Sequence, residues 1–384
     1  MEKLYNKSIE VLKSVQLENG GCLASPKGTR YPHVYTRDHA FCTLGFVSAG
    51  LFENAKKALE FVWDRQLDNG TFPQRYDLEG RDSSYKPLQV GEIGLMTVAL
   101  YEYIKATNDL GFIKKYWDNL EKGMSYIESD ISKNRGLVYS PNSIHEFPPY
   151  ENGWEIWANA VSYGALQRAY ELGKLIHKKT NYNELAKSMK NGINNYMWNS
   201  RVKSYIKTIR LKDSSSVATD ADASTIGLSE FGVIADNEDK MILTVKRLEK
   251  ELWHSELGGI CRYPKYIGRN NGGWGPWPHF TLMVAKHFIR RGIREEANMY
   301  LKWVLANTYD FLIPEHIATK DEFEDYVQDF TEAGILREDR LVMIENVKKH
   351  PKFIKEGLAL VTIPLAWPHA ELIRTWNLYK SKFY

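Results

Sequence analysis

Cysteine is scarce in this chain. Its three copies, Cys22, Cys42 and Cys261, show no CxxC spacing. An odd count in that pattern argues against a disulfide framework and a structural zinc site, and points to a reducing compartment. Long apolar runs are missing too. None reaches the ~20 residues of a membrane span, and the opening MEKLYNKSIEVLKSVQ spreads its charges instead of forming an export signal. A cytoplasmic protein outside the membrane is expected. Nor does charge of one sign accumulate: 51 basic against 48 acidic residues leave +3 with no basic block, so the electrostatic footprint of nucleic-acid or anionic-membrane binding is absent. HExxH, a P-loop and a GxGxxG after a strand are lacking, and the ten histidines have no ligand spacing. No metal or other cofactor is expected, a neutral small molecule fits best as partner, and oligomeric state leaves no signature.

What is present is helical periodicity of two alternating kinds. One kind carries a narrow apolar stripe among charges: Ala55, Leu59 and Val62; Ile113, Tyr116, Leu120 and Ile127; Leu185, Met189, Ile193 and Tyr196; Met241, Val245, Leu248 and Leu252; Ala297, Tyr300 and Val304. The other is apolar or small nearly all round, as in 40–50, 93–104, 158–173, 280–288 and 363–373. The first kind has one face in water and the second is buried. With the segment 2–17 and a weaker one near 222–232 this makes about twelve helices, wet and buried in turn. Wet-to-buried connections (19–35, 69–88, 132–156, 199–220, 254–277, 311–362) are long, whereas buried-to-wet turns near 50, 108, 182, 235 and 292 are short. An all-α ring of six helix pairs, an (α/α)6 barrel with its long loops at one end, accounts for this better than an open solenoid, which would show a sequence repeat and polar caps. Thr36 is placed to cap the second helix and Pro364 to open the last. Residues 1–384 read as a single domain, with the charged stretch 318–358 as a partly helical, lid-like insertion over the site.

The long loops hold the residues suited to chemistry. Glu146, in SPNSIHEFPPYENGWEIW, and Glu315, in FLIPEHI, are exposed-looking glutamates in apolar, proline-marked settings, a pair suited to general acid and general base. Glu151, Glu155, Arg37, Asp38, Arg262 and several tryptophans join them. Carboxylates, charged hydrogen-bond partners and aromatic faces are what sugar recognition needs. Each has a blander reading alone. Thr36-Arg37-Asp38 serves equally as a helix start, Glu146 and Glu315 as solvated loop acids, and Trp154, Trp157, Trp274, Trp277 and Trp367 as packing. His33, His145, His279, His316 and His369 read as satisfied polar groups. Convergence on one rim favours function.

The segments YPHVYTRDHAF, FPQRYDLEG, PLQVGEIGL, NSIHEF, GGICRYPKYIGRNNGGWGPWPHFTL, IPEHI and TIPLAWPHAELI, in that order from about residue 20 to 380, resemble glycoside hydrolase family 15, the glucoamylase-like exo-glucosidases. The resemblance implies an (α/α)6 barrel and inverting hydrolysis of a terminal α-glucose. Glu146 then matches the acid and Glu315 the base. Tyr31, Arg37, Asp38 and Arg262 match residues that hold the terminal glucose, and Tyr35, Trp277 and Trp367 match pocket walls. The family often has a second carboxylate after the acid, where Phe147 stands here, tryptophan at His145, glutamine at His316 and tryptophan at Tyr35. The linkage and the second sugar are therefore left open among isomalto-oligosaccharides, malto-oligosaccharides and trehalose. The Phe147-Pro148-Pro149 run suggests an apolar setting that would raise the Glu146 pKa, and His316 a hydrogen bond to Glu315. A glycosidase for another sugar, a non-catalytic carbohydrate-binding module, and a lyase or metal-dependent cyclase are the competing readings.

Overall fold

The computed structural model describes residues 1–146, 152–209, 217–264, 275–334 and 336–384. Six helices of the wet kind lie outside: α1 (Glu2–Val15), α3 (Phe52–Trp63), α6 (Trp117–Asp130, preceded by the short α5, Leu110–Lys115), α8 (Tyr182–Gly192), α10 (Asp239–Leu252) and α12 (Arg294–Ala306). Inside run α2 (Thr36–Ser48), α4 (Val90–Thr107), α7 (Ile156–Leu175), a short turn at Ala223–Ile226 leading into α9 (Gly227–Glu230), α11 (Pro278–Arg290) and α16 (Ala366–Phe383). The inner elements pack in that order and α16 closes onto α2, completing the (α/α)6 barrel.

Sequence dictates the close approach. A Cβ on Gly94 of α4 would lie 2.3 Å from Val161 Cγ1 of α7. One on Gly45 of α2 would meet Leu12 and Ala370 within 2.9 Å. Outer helices bury only their stripes, as with Met241, Val245, Leu248 and Leu252 of α10. Tyr196 departs from its expected stripe. The chain loosens into a π-helical turn at Ile193–Met197, which leaves Tyr196 44% exposed.

Every inner helix is entered from a long link, and all but α16, the last element, are left through a short turn, so all begin at one end. Asn108 makes one such turn in the left-handed conformation (φ 56°). Thr36 does not cap α2. The cap position falls on Tyr35, and the Thr36 hydroxyl instead donates to the Pro73 carbonyl at 2.5 Å, tying two site loops together. Pro364 lies before α16, which begins at Ala366.

The stretch 318–358 is more ordered than a charged loop. Antiparallel strands His316–Thr319 and Leu358–Val361, with His316 opposite Val361, form its neck. Beyond them lie α13 (Lys320–Glu332), α14 (Glu338–Lys349) and α15 (Pro351–Glu356). A capping box between Thr319 and Glu322 starts α13. Phe323, Tyr326, Phe330, Met343 and Val347 form a small core separate from that of the barrel.

Candidate active site

One cavity of about 760 Å³ opens at the end where the inner helices begin, and both Glu146 and Glu315 line it. Tyr31, Tyr35, Arg37, Asp38, Arg262, Trp277 and Trp367 line it as well, so the structure brings every residue of the expected site together. The other acids and tryptophans diverge. Glu155 is buried as the cap of α7, accepting from the Trp157 and Ala158 amides. Trp157 is core, and Trp154 sits under the Arg135 guanidinium at 4.2 Å. Glu151 and Trp274 lie outside the described residues.

The two candidate glutamates have contrasting surroundings. Glu146 Oε1 accepts from the Gln89 carboxamide at 2.8 Å and the Gln74 carboxamide at 3.0 Å, with Arg37 at 3.5 Å. Its Oε2 has no hydrogen bond among the described residues. Phe147, Pro148 and Pro149, on which the expected apolar setting rests, lie outside the described residues, and the hydrogen-bond partners of Glu146 that are described are polar. Glu146 holds a left-handed backbone (φ 57°), with Lys86 donating to its carbonyl at 2.8 Å. Non-glycine residues adopt that conformation at a cost, so its surroundings hold it there.

Glu315 Oε1 accepts from the Tyr31 hydroxyl at 3.2 Å and Oε2 from the Thr362 hydroxyl at 3.0 Å, with Arg30 at 3.7 Å. Burial raises the Tyr31 phenol well above its ordinary value, so it donates as a neutral hydroxyl. Thr362 reaches Glu315 because the strand pair returns the chain beside it, and its φ of 50° is unusual for a β-branched residue. His316 does not make the expected hydrogen bond. Its Nδ1 is 3.9 Å from Glu315, and its ring stacks on Trp277 with centroids 4.7 Å apart. Burial holds it well below the usual histidine value, hence neutral.

Between the glutamates, Arg37 grips Asp38 Oδ2 through Nη2 at 3.0 Å and Nε at 3.2 Å, and Nη1 donates to the Ile144 carbonyl at 2.6 Å. Burial raises the Asp38 carboxyl against the pull of Arg37. The floor is an aromatic stack: Trp367 lies 4.0 Å from His279 and 4.5 Å from Phe41. His279 is not a satisfied polar group. Neither ring nitrogen has a partner among the described residues, and burial keeps it well below the usual histidine value. Arg262 lies 4.0 Å over the Trp277 ring and donates from Nε to His145 Nδ1 at 3.1 Å. Arginine only donates, so His145 Nε2 carries the hydrogen given to Asp222 at 2.8 Å. Burial would raise Asp222, but His145 and Lys207 hold it far below the carboxylate range.

Gln74, Gln89, Arg30, Thr362 and Asp222 were not singled out from sequence. Gln74 and Gln89 stand in the FPQRYDLEG and PLQVGEIGL segments, which was the available signal.

The comparisons agree with this architecture. A 14% identical structure of a glycosidase variant aligns with a TM-score of 0.75 over 98% of this chain and 96% of its own, and so does a structure of a glycosidase variant in complex with glucose. A bacterial glucoamylase complexed with acarbose aligns at 0.72 with 17% identity, over 99% of this chain and 58% of the other. In sequence, a glycosyl hydrolase of Methanocaldococcus jannaschii is 25% identical over 82% of this chain, and a trehalase of Sulfolobus acidocaldarius is 24% identical over 82%. The chain spans 52% and 59% of those two relatives. Residues 74–377 match the family model directly, and the chain belongs to the glycosyl hydrolases of family 15.

Proposed function

We propose that this protein is an inverting, exo-acting α-glucosidase that releases β-D-glucose from the non-reducing end of small α-glucosides. The observation that carries this reading is the pair of glutamates on one cavity, Glu315 with a donor on each oxygen and Glu146 with its donors gathered on Oε1. Glu315, with a hydroxyl donor on each oxygen and Arg30 beyond, is solvated as an anion and serves as general base. It takes a proton from a water that attacks the anomeric carbon. Glu146 has its Oε1 saturated by donors, so the proton it delivers sits on Oε2 and passes to the glycosidic oxygen as that bond breaks. Arg37 and Asp38 bind hydroxyls of the terminal sugar, Tyr35, Trp277 and Trp367 wall it in, and Arg262 is held for the same task by the His145–Asp222–Lys207 chain. An inverting enzyme leaves room for a water between base and sugar, with its carboxyls roughly 6.5–9.5 Å apart. The stacked floor closes the far end, which favours removal of one terminal unit.

The test is time-resolved proton NMR of the anomeric signals during action on isomaltose, maltose and trehalose. The non-reducing unit of isomaltose and maltose is expected as β-glucose before mutarotation, and trehalose is expected to give β- and α-glucose in equal amounts, because its leaving glucose keeps the α configuration. α-Glucose from the non-reducing unit, or α-glucose alone from trehalose, would break the scheme. Trehalose is included because two Sulfolobus acidocaldarius relatives are trehalases by name.

The insertion acts as a lid that favours short substrates, because the start of α14 lines the cavity mouth. Thr319 and Leu358 face each other across the strand pair, so a tight turn can replace everything between them. That variant is expected to shift kcat/KM toward longer oligosaccharides. An unaltered ratio between disaccharides and longer chains would remove the lid role.

A further inference from the structure

The cavity mouth on the Glu146 side is cationic, and its charges gather around one exposed ring. Tyr85 is 42% exposed. The Arg75 guanidinium lies 4.4 Å from its ring centroid, Arg337 of the insertion 5.8 Å and the Lys86 ammonium 6.0 Å. Among the described residues neither Arg75 nor Arg337 has a carboxylate within ion-pairing distance. Arg75 spends its donors on the Ser83 carbonyl at 2.8 Å and the Tyr35 hydroxyl at 3.3 Å. Lys86 is fixed by its bond to the Glu146 carbonyl. Glu338 and Asp339 also line the mouth; Asp339 is set against Arg30 and Arg340, and the three cations around Tyr85 outnumber the remaining Glu338. Three cations gathered around one exposed ring complement an anion placed among them.

The position of this cluster gives it meaning. In the reaction proposed above, Glu146 protonates the oxygen of the leaving group, so the groups beside it that do not hold the terminal glucose face the aglycone. Lys86 touches Glu146 itself, and Arg75 and Tyr85 adjoin it through Tyr35. None of the three cations is among the residues assigned to the terminal glucose. We infer that Arg75, Lys86 and Arg337 form an aglycone subsite for a negatively charged group, so that the preferred substrates are α-glucosides whose leaving part bears a carboxylate or a phosphate. This rests on the glucosidase reading for its direction, since that reading decides which side of the cavity receives the leaving group.

Matched pairs of ligands test it: 2-O-α-glucosylglycerate against 2-O-α-glucosylglycerol, and trehalose 6-phosphate against trehalose. Calorimetry on the Glu146→Gln protein measures binding without turnover. Binding tighter by about tenfold is expected for the anionic member of at least one pair, with the advantage shrinking as salt rises. The pair that responds distinguishes carboxylate from phosphate. Arg337→Gln, combined with Glu146→Gln, should reduce that advantage about fivefold. Equal or weaker binding of both anions, or an advantage indifferent to salt and to Arg337→Gln, overturns the subsite. The glucosidase reading fails separately, if the wild-type chain releases glucose from none of the four while the binding difference persists.

Discussion

The two ends of the barrel solve the problem of buried charge in opposite ways. Deep among the inner helices, Lys286 of α11 contacts Glu230 at 2.7 Å and also Glu371. Arg374 of α16 contacts the same two glutamates at 2.7 and 2.8 Å, and Arg290 adds a further bond to Glu230 at 2.9 Å. Every charge there meets an opposite one. Burial would raise Glu230, yet its three cations hold it well below its ordinary value. At the loop end, the nitrogens of His279, the indole nitrogens of Trp277 and Trp367 and both oxygens of Glu92 lack hydrogen-bond partners among the described residues. Unsatisfied buried polar atoms are costly in a native structure. His279, Trp277 and Trp367 line the cavity, where a ligand can reach their unpartnered nitrogens, whereas the ion-pair network closes the ring where the fourth inner element is only a short helix.

Removing the reactive carboxylates should separate the two ends most sharply. Glu146→Gln and Glu315→Gln are each expected to lower kcat by about 10²–10⁴-fold with unchanged unfolding midpoints. A similar loss accompanied by a lower midpoint would make these glutamates part of the scaffold. Lys286→Met should do the reverse. It leaves Glu230 and Glu371 facing each other with less compensation, at a cost of about 3–5 kcal/mol in denaturant unfolding. Activity per folded molecule should persist. Loss of activity without loss of stability would show that the deep network communicates with the site.

A smaller effect is expected at the supports of the base. Thr362→Val keeps the shape but removes the hydroxyl from Glu315 Oε2, and should cost about tenfold in kcat with KM little altered. If KM rises alone, Thr362 is a substrate contact.

Helix periodicity made the barrel readable, because wet and buried stripes differ wherever a helix has one partner face or several. The polarity followed from loop lengths. Glu146, Glu315 and the Arg37-Asp38 pair were legible because an acid among prolines and aromatics stands out in a helical sequence. Their supports were not. Thr362 meets Glu315 only because strands 316–319 and 358–361 pair across the insertion. Gln74 and Gln89 reach Glu146 from one link, between α3 and α4, and no local pattern encodes the meeting of that link with the one that carries Glu146. His279 and His316 were misjudged for the same reason. A histidine that stacks on tryptophan and leaves nitrogens unpartnered looks, in sequence, like one that is hydrogen-bonded. His369, which bonds Ser8 and the Ile313 amide, does behave as expected.

Glu92 offers the finest contrast between the two ends. It lies in the first turn of α4 with 1% exposure, and its carboxyl is raised well above the ordinary 4.5, chiefly by burial and then by Glu146, while Arg37 opposes. A carboxyl whose folded pKa exceeds its unfolded one contributes stability fully below the unfolded value and loses it as pH rises toward the folded value. Wild-type stability should therefore decline from about pH 4.5 upward relative to Glu92→Gln, which mimics the neutral acid at every pH. Thermal unfolding of both proteins across that range measures the difference. A gap that widens with pH places a neutral acid beneath Glu146. A constant gap would mean that Glu92 is ionised and paired, and the loop end would then follow the same rule as the deep network.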